Sequence, residues 1–308
     1  MLALSSLFLV FVCVNGQTQN VDQVLSTLTN VADFYNLVKT TSTSSALQGT
    51  GPFTVFAPTG TAMHRNRKLA QLTNDTVAAG KFVQYHIVNG AYNTQDLVNE
   101  LHLTSKSGIL IRANHYNYRD RVTVQGSLVI ESHPASNGIV HVISYYMDPP
   151  VGTLLQAVQS DPNLSTFAGL MVSANLSSVL SDDGPYTLLA PTNAAMTALT
   201  VGVLQRLQAD PQIFRDTMMY HIIHGTIYAF GMHSGYLHNL GEKDRERIVN
   251  SAVFGVSIDN KRIVNLDINA NNGVLHHMNG LLIPSTYRSH VLYGFPLAST
   301  TTTASTRA

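Results

Sequence analysis

The stretch GPFTVFAPTGTAM at residues 51–63 returns as GPYTLLAPTNAAM at residues 184–196, and that recurrence decides how the rest of the chain is read. Within it, FTVFA and YTLLA are short, apolar, β-rich runs, each closed by proline. They predict buried strands, and Thr59 or Thr192 then stands where a helix N-cap belongs. Two further landmarks recur in the same order: YHIVNG at 85 and NGIVHVI at 137, against YHIIHG at 220 and NGVLHHM at 272. The offsets are 133, 135 and 135 residues, far longer than a solenoid repeat, so each copy is a whole domain. The join falls in MDPPVG, residues 147–152, where a proline pair stops regular structure.

Inside each copy, helices come before most of the strands. Asp210 and Pro211 make an N-cap and first-turn pair, and Phe214, Met218 and His221 follow at helical spacing. The helix therefore ends in the Tyr-His pair. RVTVQGSLVIES and FGVSIDNKRIVNLDI then predict strands joined by tight turns at Gly126-Ser127 and Asp259-Asn260. This order argues an α+β domain.

The chain has 308 residues, enough for about two domains with cores of their own. Eighteen Lys plus Arg balance eighteen Asp plus Glu, which leaves no global field to attract nucleic acid or an anionic membrane. The N-terminus carries an apolar run, Leu7 to Val14, with Val14 and Gly16 at small-residue positions before Gln17. Residues 1–16 are thus expected to be a cleaved signal peptide, since the run is too short to span a bilayer. Cys13, the single cysteine, lies inside it, so the mature chain would have neither disulfides nor thiolate chemistry. Sequons at Asn74, Asn163 and Asn175 agree with secretion, although Asn74 also sits where it could cap a helix. Residues 287–308, ending in LASTTTTASTRA at 297–308, are expected to be a flexible Thr/Ser-rich tail.

The ordered set of a TVFAPT-type strand and helix, a Tyr-His pair after a helix and an NG-aliphatic-x-His closing strand resembles the fasciclin (FAS1) domain, present twice. The resemblance covers residues 20–148 and 150–286. It implies two tandem α+β domains, each a small wedge-shaped β-sandwich flanked by helices, acting outside the cell in adhesion and matrix assembly. Family members usually carry Asp after HVI, where this chain has Ser144 and Asn279.

Thirteen histidines invite a metal reading, but comparison of the copies weakens it. His86 and His221 recur, as do His141 and His276, whereas His224 faces Asn89 and His277 faces Val142. The recurrent four are expected to be rings hydrogen-bonded to backbone, with no cofactor. The chain carries no G-x-S-x-G elbow, H-E-x-x-H helix or phosphate loop, so no enzyme is expected. In RIVNLDINANNG, strict alternation would place Asp267 on the outward face of a strand. An outward carboxylate could complete the coordination of a divalent cation bound to an integrin-type receptor. By resemblance, Asp267-Ile268 matches an Asp-Ile integrin motif of some fasciclin domains, and Tyr85-His86 and Tyr220-His221 match a Tyr-His motif linked with the same receptors. At the end of an amphipathic helix these pairs are expected first as core and junction packing, with receptor contact only if the Tyr edge is exposed. The first copy has Ser132-His133 in place of the Asp-Ile pair. The basic cluster HRNRK, residues 64–68, would suit sulfated glycans or a solvated helix face, and GEKDRER at 241–247 an exposed loop or hairpin.

These features together predict a secreted adhesion or matrix-organising protein of the extracellular space, with an integrin-type receptor or a matrix macromolecule such as collagen or glycosaminoglycan as partner. The alternatives are an extracellular carrier of a small molecule or polysaccharide, favoured by a deep apolar pocket, and a secreted hydrolase, favoured by a nucleophile within reach of His86 or His221.

Overall fold

The computed structural model describes residues 18–64, 69, 71–240, 245–251 and 255–297. The expected signal peptide with Cys13, most of the basic cluster at 64–68 and the last eleven residues lie outside that range. The chain divides into two compact units, one built from residues up to 115 with 122–147, the other from 116–121 and residues from 148 onward.

The first unit opens with helices α1 (Val21–Thr27), α2 (Ala32–Thr40) and α3 (Thr43–Leu47). Strand β1 (Phe53–Pro58), α4 (Gly60–His64) and α5 (Thr76–Tyr85) follow. The sheet is completed by β2 (Ile87–Asn89), β3 (Leu101–Thr104), β4 (Leu110–Tyr116), β5 (Arg121–Val124), β6 (Ser127–Ala135) and β7 (Gly138–Ile143). Strand order is β2-β1-β7-β6-β5-β4-β3, with β1 parallel to β7. A bridge between Val88 and Ser105 ties the two outermost strands, which makes the sheet barrel-like.

The second unit repeats this plan. Helices α6 (Leu154–Ser160) and α7 (Ser165–Ser173) lead into β8 (Tyr186–Pro191). Next come α8 (Asn193–Thr197), α9 (Val203–Ala209) and α10 (Pro211–Met219). Strands β9 (Ile222–His224), β10 (Gly235–His238), β11 (Arg245–Ser251), β12 (Gly255–Ile258), β13 (Lys261–Ala270) and β14 (Gly273–Met278) follow. The order is β10-β11-β12-β13-β14-β8-β9, β8 is parallel to β14, and Ile223 bridges Asn239.

Each sheet has apolar layers on both faces, which is why its central strands read as unbroken apolar runs. In β1, Val55 and Ala57 join the core under the helices, while Phe56 joins the core enclosed by the sheet. In β8, Leu188 and Ala190 face the helices and Leu189 the sheet interior. Gly51 and Gly184 begin the repeated stretch because both have φ +63°, and a Cβ at either would collide with the carbonyl oxygen of Asn137 or Asn272.

Local expectations held in places and shifted in others. Thr59 and Thr192 cap the helices after their strands, and Asp210 caps α10. The cap of α5 is Asp75, not Asn74. The first hairpin turns at Gln125-Gly126, one residue earlier than expected, with φ +48° and +78°. The second turns at Asp259-Asn260 with φ +45° and +64°. Arg245–Arg247 of the mixed-charge run enter β11.

The flexible tail expected from residue 287 is corrected, because α11 spans Ser285–Tyr293. It buries Val291 in the second unit's helical core. Arg206 donates to the carbonyls of Val291 and Leu292, both at 2.9 Å, and the Tyr287 hydroxyl to Asp216 at 2.7 Å. The domain therefore continues past 286, since the helix carries apolar residues that its neighbours cover.

Candidate functional site

The Tyr-His pairs are interior in both copies, in the core and junction packing expected of them. The exposed Tyr edge that receptor contact would require is absent, which corrects their place among the candidate binding residues. Tyr85 and Tyr220 are each 2% exposed, and His86 and His221 are fully buried. Each imidazole donates from Nδ1 to the carbonyl four residues back, Phe82 or Thr217, at 2.8 Å. Each accepts at Nε2 from a backbone N–H beyond the closing strand, Met147 or Leu282, at 3.0 Å. Both nitrogens are committed, and burial pushes both rings down to about 4. These histidines pin the chain leaving the sheet to the end of a helix. The tyrosine hydroxyls reach the hairpin turns: Gln125 donates to Tyr85 at 2.9 Å, and Tyr220 donates to Asp259 at 2.8 Å.

The closing-strand histidines hold the opposite tautomer. His141 donates from Nε2 to the Tyr92 carbonyl at 2.7 Å, and His276 to that of Ile227 at 3.0 Å. Their Nδ1 atoms accept, from the Ser132 hydroxyl at 2.8 Å in one copy and from the Asp267 backbone N–H at 3.1 Å in the other. The requirement is a donor, met by different chemistry. Burial pushes His276 down to about 4 as well.

Asp267 is not on the outward face of a regular strand. Opposite β14, Ile263 pairs with Met278 but Ile268 with Leu275, with register shifts on both sides of Asn265. In the first copy, β6 has one shift, between Val129 and Glu131. The second copy thus carries an extra residue here, which agrees with the hairpin turns being offset by 134 residues and the closing strands by 135. The double bulge pushes Val264 and Leu266 outward, to 56% and 39% exposure. It also sets Asp267 at φ +62° and turns its carboxylate inward, to accept from Ala229 N–H at 2.9 Å. Its side chain is 24% exposed, and burial pushes the carboxyl up to about 7 despite that hydrogen bond. Ile268 is half-buried against the helical core.

Three duplicated clasps have no obvious sequence label. Asn137 and Asn272, at the turn before each closing strand, accept from the N–H of Val21 or Leu154 at 2.8 Å. Their amides donate to Leu47 and Gly49, or to Leu180 and Asp182. Thr54 and Thr187, buried within apolar strands, donate to Gly90 or Gly225 at 2.7 Å and accept from Tyr92 or Ile227 at 2.9 Å. Ser144 and Asn279 stand where the family usually has Asp and still supply a side-chain acceptor, to Leu128 N–H at 3.0 Å and Arg262 N–H at 2.7 Å. A polar residue repeated inside an apolar run was the available signal.

The fasciclin-domain family model matches residues 29–149 and again 162–284. The chain belongs to the fasciclin family. It is 29% identical over 250 residues to pig transforming growth factor-beta-induced protein ig-h3, 30% over 248 to human periostin and 28% over 264 to mouse stabilin-2. Those alignments take in 79%, 77% and 77% of this chain but 36%, 29% and 10% of the relatives, so it corresponds to part of each. A solved FAS1 domain pair from the insect cell adhesion molecule Fasciclin I aligns with a TM-score of 0.39 and 14% identity, over 85% of this chain and 98% of its own.

On the two fasciclin domains, Asn74, Asn163 and Asn175 are all exposed. The first domain has a cavity of about 220 Å³ with Leu37, Met63 and Leu69 as its apolar lining and Asp33, Asn36 and Thr40 among its polar groups. Among the described residues no group of three or more His, Cys, Asp or Glu could hold a metal ion, and no helix is long and apolar enough to cross a membrane.

Proposed function

We propose that this chain is a secreted, non-enzymatic fasciclin protein that mediates cell adhesion or organises extracellular matrix by binding receptors or matrix macromolecules. What carries the reading is that the histidine of each Tyr-His pair, His86 or His221, spends both ring nitrogens on the backbone. Ring nitrogens already hydrogen-bonded in a dry core, at about 4, are poor general bases at neutral pH. The chemistry left to the domains is surface recognition, which accords with family membership and with relatives such as periostin. The exposed sequons support passage through a secretory route, with sugar at Asn74, Asn163 and Asn175.

Cation bridging through Asp267 requires the carboxylate to leave Ala229 and face solvent. Attachment of cells to the immobilised chain tests both levels. Adhesion above an inert protein coating is expected, and its absence on cells, collagen and glycosaminoglycan alike would end the adhesion reading. Attachment unchanged by chelator and by Asp267→Ala would end the cation-bridging part alone. The cavity beside Leu37 favours a second reading, a carrier of a small apolar molecule, for which saturable binding of a fluorescent apolar probe is the check.

A further inference from the structure

We propose that Asp267 is a proton-operated latch in the second domain: neutral, it holds the bulge of β13 against the turn at Ala229–Gly231, and its ionisation releases the two. The inference does not depend on the adhesion reading.

Three features of the geometry carry it. First, among the described residues the carboxylate has one hydrogen-bond donor, the N–H of Ala229 at 2.9 Å, whereas a buried anion needs several donors or a counter-charge. Second, the nearest ring cannot supply one. His276 Nδ1 is 3.8 Å from Asp267 Oδ1, but that nitrogen already accepts the Asp267 N–H at 3.1 Å and so presents a lone pair. Its Nε2 hydrogen is committed to Ile227. Third, the bulge gives the residue somewhere to go. Asp267 lies in the left-handed region that most side chains avoid, beside an inserted residue, with a quarter of its side chain already in contact with solvent. The first domain has the Ser132 hydroxyl at this place and no ionisable group to move.

Other ionisable groups surround the turn: Arg121 donates to the Phe230 carbonyl at 3.1 Å with its guanidinium over the Phe230 ring, and the Tyr116 hydroxyl accepts from the Tyr228 N–H at 3.0 Å. His277, next along β14, faces Asp161 at 3.0 Å. His233, beyond the turn, donates from Nδ1 to the Gly231 carbonyl at 3.2 Å. Asp148 meets this region through its backbone carbonyl, which accepts from Asn269 at 3.0 Å. Burial raises the Asp267 carboxyl to about 7, which puts the release near neutrality.

The test is NMR on the full chain, following the Asp267 carboxyl carbon and the exchange of the Ala229 amide corrected for its intrinsic rate. The carboxyl should titrate near 7, and corrected exchange should rise about tenfold between roughly pH 6 and pH 8, as one proton is lost. Asp267→Asn keeps the acceptor oxygen, tolerates the same backbone region and cannot ionise, so its exchange should stay within about twofold over that range. A carboxyl titrating near 4 in wild type would overturn the latch. So would an equal rise in the Asn variant, which would assign the change to a group other than Asp267.

Discussion

His86 and His221 show what one side chain can do when both ring nitrogens are used. Replacing His221 by Leu leaves the Thr217 carbonyl and the Leu282 N–H without their partner, each costing about 1–3 kcal/mol. Chemical denaturation of this variant should show a loss of about 2–5 kcal/mol. The same histidines give stability a pH dependence of known sign. Their folded values lie below the unfolded 6.5, at about 4, so the stabilisation is complete above about pH 6.5 and is lost as pH falls toward 4. His276 adds to it in the same direction. Asp267 acts oppositely: its carboxyl rises from 3.8 to about 7, so its contribution is most favourable below 3.8 and weakens as pH climbs to 7. In Asp267→Asn, stability measured against pH should therefore rise more steeply between about pH 4 and 6.5 than in the wild type, where three histidines and one carboxyl pull in opposite directions.

Among elements, the first helix of each domain is tied to the sheet by one asparagine. Asn272 accepts from Leu154 at the start of α6 and donates to two carbonyls on the segment before β8, so one amide fixes three chain segments. Asn272→Ala should lower stability by about 2–4 kcal/mol in denaturant titration and speed exchange at the Leu154 amide before it affects amides in β14. Asn-Gly before a strand is readable as a turn; the clasp is not, because its partners lie far away in sequence. The bulge of β13 shows the same limit. Alternation of apolar and polar residues over 264–269 predicts a regular strand, yet two register shifts expose Val264 and Leu266 beside Asn265 and turn Asp267 and Asn269 inward.

Over the whole molecule, duplication gives each half its own pair of cores, one under helices and one within the sheet. Two binding surfaces on one chain raise the effective concentration for a second contact. If both domains bind, the intact chain should support half-maximal cell attachment at a coating density at least about tenfold below that of an equimolar mixture of the separated domains. Equal densities would assign the binding to one domain.

The sequence by itself determined the duplication, the family, the positions of most strands and caps, and both hairpins to within a residue. These rest on local chemistry, proline, glycine and capping side chains, and on repetition that is visible without a third dimension. Tertiary structure decided which motif residues meet solvent. His86 finds its second partner 61 residues away at Met147, and Asp267 finds Ala229 38 residues back. Burial is a property of such distant encounters, so packing left the Tyr-His pairs no exposed edge for a receptor, and register turned the Asp267 carboxylate inward from the outward face that alternation predicts.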